Sequence, residues 1–324
     1  MGSLSGRVVL ITGAGRGIGR EEALYFAAEG AKVVVNDPGV APDGSGGDRA
    51  VAAAVVKEIT ARGGAAVANT DSVSDFDGAR RVVEAAVDAF GDLHVVINNA
   101  AVHRDAPLVG VTEDAFDAVV AVKLKGTFAV SHWAARHWRA RWESGDRVDR
   151  AIINTSSGSG LLNPLPAHSN YAAANAGVAA LTVVNALELG RYGVRVNCLS
   201  PSMARTRLTA TVPGMGQIPE EGAFDPLHPG VCAPVAAYLA AEDCPMTGQV
   251  LSVRGGSVAI NQGWSRGAQI AKDDAPWTVA ELRTALAELP RDDVFDSLGT
   301  ALGGALGSGG RDKLQQMINA LLDR

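Results

Sequence analysis

Cysteine is scarce in this chain. Among 324 residues it occurs only as Cys198, Cys232 and Cys244. The three form no CxxC pair and their number is odd. That argues against a disulfide framework or a metal site, and for a reducing, cytoplasmic setting. An excess of positive charge is also missing. Lys and Arg number 29 against 35 Asp and Glu, for a net charge of −6. No basic field is therefore available to recruit nucleic acid or a membrane surface, and the expected partner is a small-molecule substrate. No apolar run reaches the ~18 residues that a membrane span requires. The opening MGSLSGRVVLITG enters a strand at once, with no signal-peptide pattern, and the closing LLDR is not a peroxisomal address.

What is present is alternation. Short apolar runs, RVVLIT (7–12), KVVVN (32–36), AAVAN (65–69), HVVIN (94–98), AIINT (151–155), VRVNCL (194–199) and QVLSV (249–253), read as strands. They are continuous rather than alternating, as expected where both faces of a parallel sheet are covered. Between them, 17–29, 48–62, 75–90, 113–141, 170–191 and 230–241 have helical patterns. The expected fold is α/β: a doubly wound Rossmann sheet of seven parallel strands with helices on both faces. One dinucleotide-binding and catalytic domain is expected over 1–265, with a Thr/Pro/Gly-rich lid at about 203–229. A C-terminal extension, 266–324, carries the Gly-rich GGALGSGG (303–310) and then a helix. Leu314, Met317, Ile318, Leu321 and Leu322 share one face of that helix, which is expected to fold back on the core, with a subunit contact as the alternative.

The first strand runs into TGAGRGIG: Thr12, Gly13, Gly15, Arg16, Gly17, Ile18 and Gly19, followed by a helix. Glycines let a pyrophosphate approach backbone N–H groups, and the helix N-terminus adds partial positive charge. The strand before and the helix after supply the context that a bare glycine cluster lacks. Asp37 ends the second strand. A carboxylate there accepts the adenosine ribose hydroxyls and repels a 2′-phosphate, which points to NAD rather than NADP. Arg16 would soften that preference. Asp71, Ser72 and Val73 follow the third strand, where they would hold the adenine. The NNAA segment, with Asn99, Ala100 and Ala101, follows the fourth, where small residues let the chain pass beneath a ribose.

TGAGRGIG, VVVND, DSV, NNAA, SSGSG and the segment SNYAAANAG around Tyr171 resemble, in order and spacing, the short-chain dehydrogenase/reductase superfamily. The likeness covers about 5–260. A narrower one, in VVVNDPG, RGGAAVANTDSV, HRD and GWSRGA, is to the (R)-3-hydroxyacyl-CoA dehydrogenase domain of multifunctional enzyme type 2 and its bacterial relatives. The resemblance implies a homodimer or homotetramer. It also implies a tyrosine as proton donor and acceptor, a serine polarising the substrate oxygen, a lysine one turn after the tyrosine, and an asparagine on a neighbouring helix. Tyr171 matches the tyrosine. Ser157 matches the serine, at a spacing one residue longer than usual, and Ser156 and Ser159 stay open as alternatives. In SPSMART, Pro201, Ser202 and Thr206 would flank the nicotinamide amide, with Ser202 standing for a glycine.

Two positions depart from the pattern. Asn175 stands where the lysine belongs, and Lys123 stands where the asparagine belongs. The i, i+4 spacing puts Asn175 on the helix face of Tyr171. Its amide can reach ribose hydroxyls but carries no charge. A free phenol has a pKa of about 10 and a nearby cation lowers a neighbouring acid by about 1–3 units, so losing the cation costs on the order of 1–4 kcal/mol of phenolate stabilisation. The exchange is complementary, and one reading has Lys123 supplying the missing charge from the neighbouring helix. The other has Lys123 as a helix lysine with a buried stem. His168 is a further titratable candidate near Tyr171.

The leading expectation is an NAD-dependent oxidoreductase interconverting a secondary alcohol and a ketone on a bulky apolar substrate such as an acyl-CoA, a steroid or a polyketide-like molecule. The same fold also hosts non-redox enzymes (cyclase, isomerase, dehydratase) and non-catalytic nucleotide-binding proteins, so the fold alone does not choose.

Overall fold

The computed structural model describes residues 2–160, 162–210, 215–216, 218–220, 222–263, 268–271, 277–290, 295, 298–299 and 311–322. The Gly-rich 303–310, most of GWSRGA and part of the 203–229 lid lie outside the described residues, as do the side chains of Leu321 and Leu322.

Seven strands fall where the apolar runs predict: β1 (Val8–Thr12), β2 (Lys32–Asn36), β3 (Ala65–Asn69), β4 (Val95–Asn98), β5 (Arg150–Thr155), β6 (Val194–Pro201) and β7 (Val250–Arg254). They pair in parallel in the order β3-β2-β1-β4-β5-β6-β7. An eighth strand, β8 (Ser257–Asn261), extends the seven expected and pairs antiparallel with β7. Gly255 and Gly256 make the tight turn between them, Gly255 at φ +54°, a left-handed conformation that glycine adopts without strain. Val258 and Ile260 of β8 are exposed, so no buried face marks this edge strand in the sequence.

The helices are α1 (Gly17–Ala28), α2 (Ala50–Ala61), α3 (Phe76–Phe90), α4 (Glu113–Val120), α5 (Gly126–Glu143), α6 (Ser169–Leu189), α7 (Ala233–Ala240), α8 (Val279–Ala285) and α9 (Arg311–Leu322). Their ends follow local chemistry. Asp75 caps α3 by accepting from the Gly78 N–H at 2.8 Å, and Gly91 closes it in a left-handed conformation. Thr112 caps α4 by accepting from the Ala115 N–H at 3.2 Å. Between α4 and α5 the chain widens into one π-helical turn, Ala121–Lys125, with Lys123 at its centre. Such turns hold one extra residue and often lie at functional sites.

Two apolar layers sandwich the sheet. Val9, Ile11, Val33, Ile97 and Ile153 pack against α1, α2 and α7. Leu10, Val34, Val96, Ile152 and Val196 pack against α3, α5 and α6. Because both faces are covered, the strands read as unbroken apolar runs. The strand order reverses between β1 and β4, and the carboxyl ends on either side of that point are where an open α/β sheet places its ligand.

The stretch Ser169–Tyr192 is long and apolar enough to cross a membrane by length and composition, with a mean hydropathy of 1.4. Scattered Asn and Thr interrupt the apolar run, while abundant Ala and Val keep the average high. In this fold the helix packs against β6 and α4, and 33% of that window is buried. In the extension, Leu298 and Leu314 are buried and Ile318 is half-buried, so α9 lies against the protein.

Candidate active site

At the carboxyl end of β1 the chain turns through glycines that no other residue could replace without displacing its neighbours. A Cβ on Gly13 would stand 2.8 Å from Ala100 Cα, and one on Gly19 would stand 2.4 Å from the Gly13 carbonyl oxygen. Gly13 and Gly17 also hold positive φ. Thr12 ties the turn to the fourth strand: its hydroxyl accepts from the N–H groups of Asn99 and Ala100, both at 3.1 Å. Asn99 in turn donates to the carbonyls of Thr12 and Gly13. α1 starts at Gly17 behind Arg16, without a side-chain cap and with no acidic residue in its first turn. Its free N–H groups suit an anion. Ile18 packs on the core beneath the turn.

Asp37 is buried at the end of β2. Its carboxylate accepts from the Gly15 N–H at 2.9 Å and the Gly39 N–H at 2.7 Å. Those bonds fix the carboxylate beside the glycine turn. Arg16 donates to the Val40 carbonyl at 3.1 Å rather than to Asp37. After β3, Asp71 is held by Arg81 at 2.7 Å and by Asn69 at 2.9 Å. The Ser72 hydroxyl pairs with that of Ser74, and Val73 packs against Gly126. Ala100 and Ala101 continue from Asn99 along the site. Pro201 ends β6, and Ser202 accepts from the Asn163 amide at 3.2 Å. Thr206 approaches Gly17, so the start of the lid region meets the glycine turn.

Tyr171 lies in the first turn of α6. Its placement depends on Asn170, which sequence reasoning passed over. That buried side chain donates to the Arg104 and Ala115 carbonyls and accepts from the Tyr171 N–H. Burial pushes the phenol above its ordinary value, while hydrogen bonding from Ser157 and Asn175 pulls it down. Of the three candidate serines, Ser156 donates to the Asn175 carbonyl at 2.8 Å and Ser159 uses its backbone N–H, 3.2 Å from the Ser157 hydroxyl. Ser157 is therefore the serine that faces Tyr171. Asn175 is fully buried; its amide donates to the Tyr171 carbonyl at 2.8 Å and its side-chain oxygen has no partner.

The π turn that carries Lys123 packs against α6, but Lys123 is not bonded to this group. Lys123 is only 1% exposed. Burial pulls its ammonium down to about 8, and the charges that bear on it are those of Cys198 and Glu22. Among the described residues its side chain makes no hydrogen bond or ion pair with Tyr171 or Asn175. The π turn directs the stem into the protein, where the fully buried Glu22 of α1 is pushed up to about 8 by the same loss of water.

Histidines crowd the other side of Tyr171. The His103 ring lies against it, tilted by 56° with centroids 4.1 Å apart, and the His168 ring lies edge-on at 6.4 Å. Asp105 joins the two histidines. His103 and Asp105 lie far from Tyr171 in sequence, and only the HRD likeness marked their segment. Beside His168 opens a cavity of about 410 Å³, walled by Ser159, Pro164, Phe295, Leu298 and Ile318.

This arrangement, a glycine turn at a strand-order reversal facing a Ser-Tyr pair, agrees with the comparisons. The family model for short chain dehydrogenases matches residues 7–215. The chain belongs to the short-chain dehydrogenase family. As a member it is an oxidoreductase. It is 39% identical over 292 residues to the hydroxyacyl-CoA dehydrogenase ChsB1 of Mycobacterium tuberculosis, covering 88% of this chain and 89% of that one. It is 36% identical over 281 residues to mouse peroxisomal multifunctional enzyme type 2, covering 86% of this chain but 36% of that longer protein. Among solved structures, a short chain dehydrogenase from Mycobacterium avium is 47% identical with a TM-score of 0.78, covering 89% of this chain and 96% of that one. The 3-ketoacyl-(acyl-carrier-protein) reductase of Brucella melitensis, complexed with NADH, is 31% identical with a TM-score of 0.67, covering 78% and 98%.

Proposed function

We propose that the enzyme is an NAD-linked oxidoreductase interconverting a secondary alcohol and a ketone on a bulky apolar acyl substrate. The observation that carries this reading is Tyr171 in the first turn of α6, where Ser157 and Asn175 lower the phenol against its burial and the Asn175 amide bonds the Tyr171 carbonyl, in a sheet whose β1 leads into the glycine turn. The residues fit a dinucleotide. The turn is a cradle that any Cβ would fill, the α1 N-terminus is uncapped, and the Asn175 side-chain oxygen is a buried acceptor with nothing to bond. When bound, NAD(H) supplies the hydride acceptor or donor.

The remaining chemistry belongs to the chain. Ser157 donates to the substrate oxygen and polarises it. Tyr171 gives that oxygen a proton in reduction and takes it back in oxidation. Asn175 offers its side-chain oxygen to a ribose hydroxyl and holds the first turn of α6 through the Tyr171 carbonyl. Asp37 favours NAD(H) over the 2′-phosphorylated cofactor, because it is a fixed carboxylate beside the glycine turn. The NADH complex of the Brucella reductase supports the cofactor class. The hydroxyacyl-CoA and ketoacyl names of the relatives support the substrate class, as does the apolar cavity that His168 lines. The three buried free thiols agree with a reducing, cytoplasmic setting. The exposed apolar residues Val183, Val184 and Leu187 on α6 support a homodimer or homotetramer.

Asn175 keeps one rival alive: a non-redox acid/base enzyme on the same fold, since no lysine charge reaches Tyr171. Following nicotinamide absorbance with 3-hydroxyacyl-CoA and 3-ketoacyl-CoA substrates separates the two. Turnover coupled to NAD(H) supports the oxidoreductase; substrate consumption without any nicotinamide change supports the rival.

A further inference from the structure

His103 and Asp105, in the loop after β4, meet His168 at the start of α6. The donor atoms of the three side chains all lie within 4.8 Å of one another. Asp105 Oδ2 is the common vertex, 3.3 Å from His103 Nδ1 and 3.5 Å from His168 Nε2. The two segments are locked together by backbone. The Ala106 N–H donates to the Ala167 carbonyl at 3.0 Å, the Asn170 amide to the Arg104 carbonyl at 2.9 Å, and the His103 N–H to the Pro42 carbonyl at 2.8 Å. The three side chains are thus presented by a fixed frame.

The proton on His168 can be assigned. Its Nδ1 lies 2.9 Å from the Pro166 carbonyl oxygen, which can only accept. Nδ1 therefore carries the hydrogen, and in the neutral ring Nε2 presents a lone pair. That lone pair faces a carboxylate oxygen, which is also an acceptor. Two acceptors at this separation are reconciled either by a second ring proton or by a metal ion between them. Ligands bound to zinc at ~2.0–2.2 Å in a tetrahedron lie roughly 3.3–3.5 Å apart, which is the spacing of both histidine nitrogens from Asp105. A backbone carbonyl on the remote ring nitrogen is also the usual way a metal-binding histidine is oriented. His103 Nε2 is buried with no partner, so no protein group claims that ring from the other side.

We propose that His103, Asp105 and His168 form a binding site for one divalent transition ion of the zinc class. Two imidazoles and one carboxylate suit zinc and its neighbours better than calcium or magnesium, which take all-oxygen shells. The fourth position stays open to water or a substrate oxygen. Spacing along the chain does not mark the site, because its ligands come from two distant loops and involve no cysteine. The ion sits between the 410 Å³ cavity, which His168 lines, and the ring of Tyr171, against which the His103 ring lies tilted. It places a positive charge beside the phenol in a chain that lacks the family's lysine. Metal binding is independent of the redox reading and is measured without turnover.

The test uses the full chain, free of any affinity tag and stripped by chelator, titrated with Co²⁺ while its visible ligand-field bands are followed, then with Zn²⁺ in competition. The expected result is one equivalent of Co²⁺ with nitrogen/oxygen-type bands, displaced by Zn²⁺. Asp105→Asn and His168→Gln should each weaken binding at least tenfold, and His228→Gln should not weaken it. Absence of a saturable one-equivalent spectrum overturns the proposal, as does binding that survives both substitutions or bands showing thiolate ligation. If the variants fail to fold, ring-proton NMR of the intact chain decides. One equivalent of Zn²⁺ should shift the His103 and His168 signals, and unmoved signals, or a His168 ring doubly protonated at neutral pH, overturn it.

Discussion

Asn175 donates to the carbonyl oxygen of Tyr171, one helical turn earlier, at 2.8 Å and keeps its own oxygen buried and unpaired. The residue that replaces the family's lysine thus ties the tyrosine's backbone. The charges that act on Lys123 are those of Cys198 and Glu22, and it makes no hydrogen bond or ion pair with Tyr171 or Asn175 among the described residues.

The first prediction follows from that separation. Lys123→Asn should leave the pH profile of turnover unmoved. Its effect should add to that of Asn175→Lys in a double-mutant cycle, within about 0.5 kcal/mol. Steady-state rates of the four proteins measure it. A double variant more active than its singles predict would return Lys123 to the catalytic group.

The second prediction concerns Asp37, proposed above to favour NAD(H) over the 2′-phosphorylated cofactor. Asp37→Asn keeps one acceptor for the Gly15 or Gly39 N–H but removes the charge. The ratio of NADP(H) to NAD(H) dissociation constants should fall about tenfold, the equivalent of roughly 1.4 kcal/mol. Fluorescence titration with both cofactors checks it, and an unchanged ratio assigns the preference to another residue.

Glu22 and Lys123 make stability depend on pH in a particular way. Glu22 is raised from 4.5 to about 8, so its folded-state advantage is full below 4.5 and fades as pH rises to 8. Lys123 is lowered from 10.5 to about 8, so its advantage is full above 10.5 and fades as pH falls to 8. The Tm should therefore pass through a minimum near pH 8. Glu22→Gln should flatten the acidic side and raise Tm at pH 8 by several degrees. Calorimetric scans from pH 5 to pH 10 measure both; a Tm independent of Glu22 would show its carboxyl to be solvated.

The exposed apolar stripe on α6 predicts assembly. Leu187 is 81% exposed in the single chain and Val183 and Val184 lie beside it. Leu187→Glu should convert a homodimer or homotetramer to smaller species by light scattering at micromolar concentration. A wild-type monomer would refute the assembly.

Much of this was legible in the sequence, for physical reasons. Strands covered on both faces must be apolar at every position, so β1, β2 and β4 to β7 stand out, and the glycine turn is marked by residues that sterics leave no freedom to change. β8 escaped because an exposed edge strand of five residues carries no burial pattern. The His103–Asp105–His168 cluster escaped because proximity between loops after β4 and before α6 exists only once the sheet has formed. The partners of Lys123 escaped too: family spacing gives its position on the chain, whereas the π turn decides where its ammonium goes.

The account stands on Tyr171 as the proton-transferring group of a nicotinamide-linked reaction. The direct measurement is absorbance at the nicotinamide band during turnover of a 3-hydroxyacyl-CoA, for wild type and Tyr171→Phe. The account predicts NAD reduction by the wild type and a loss of at least about 10²-fold on removing the hydroxyl, with NAD affinity retained. Equal rates in the two proteins, or substrate consumed with no nicotinamide change, would contradict it.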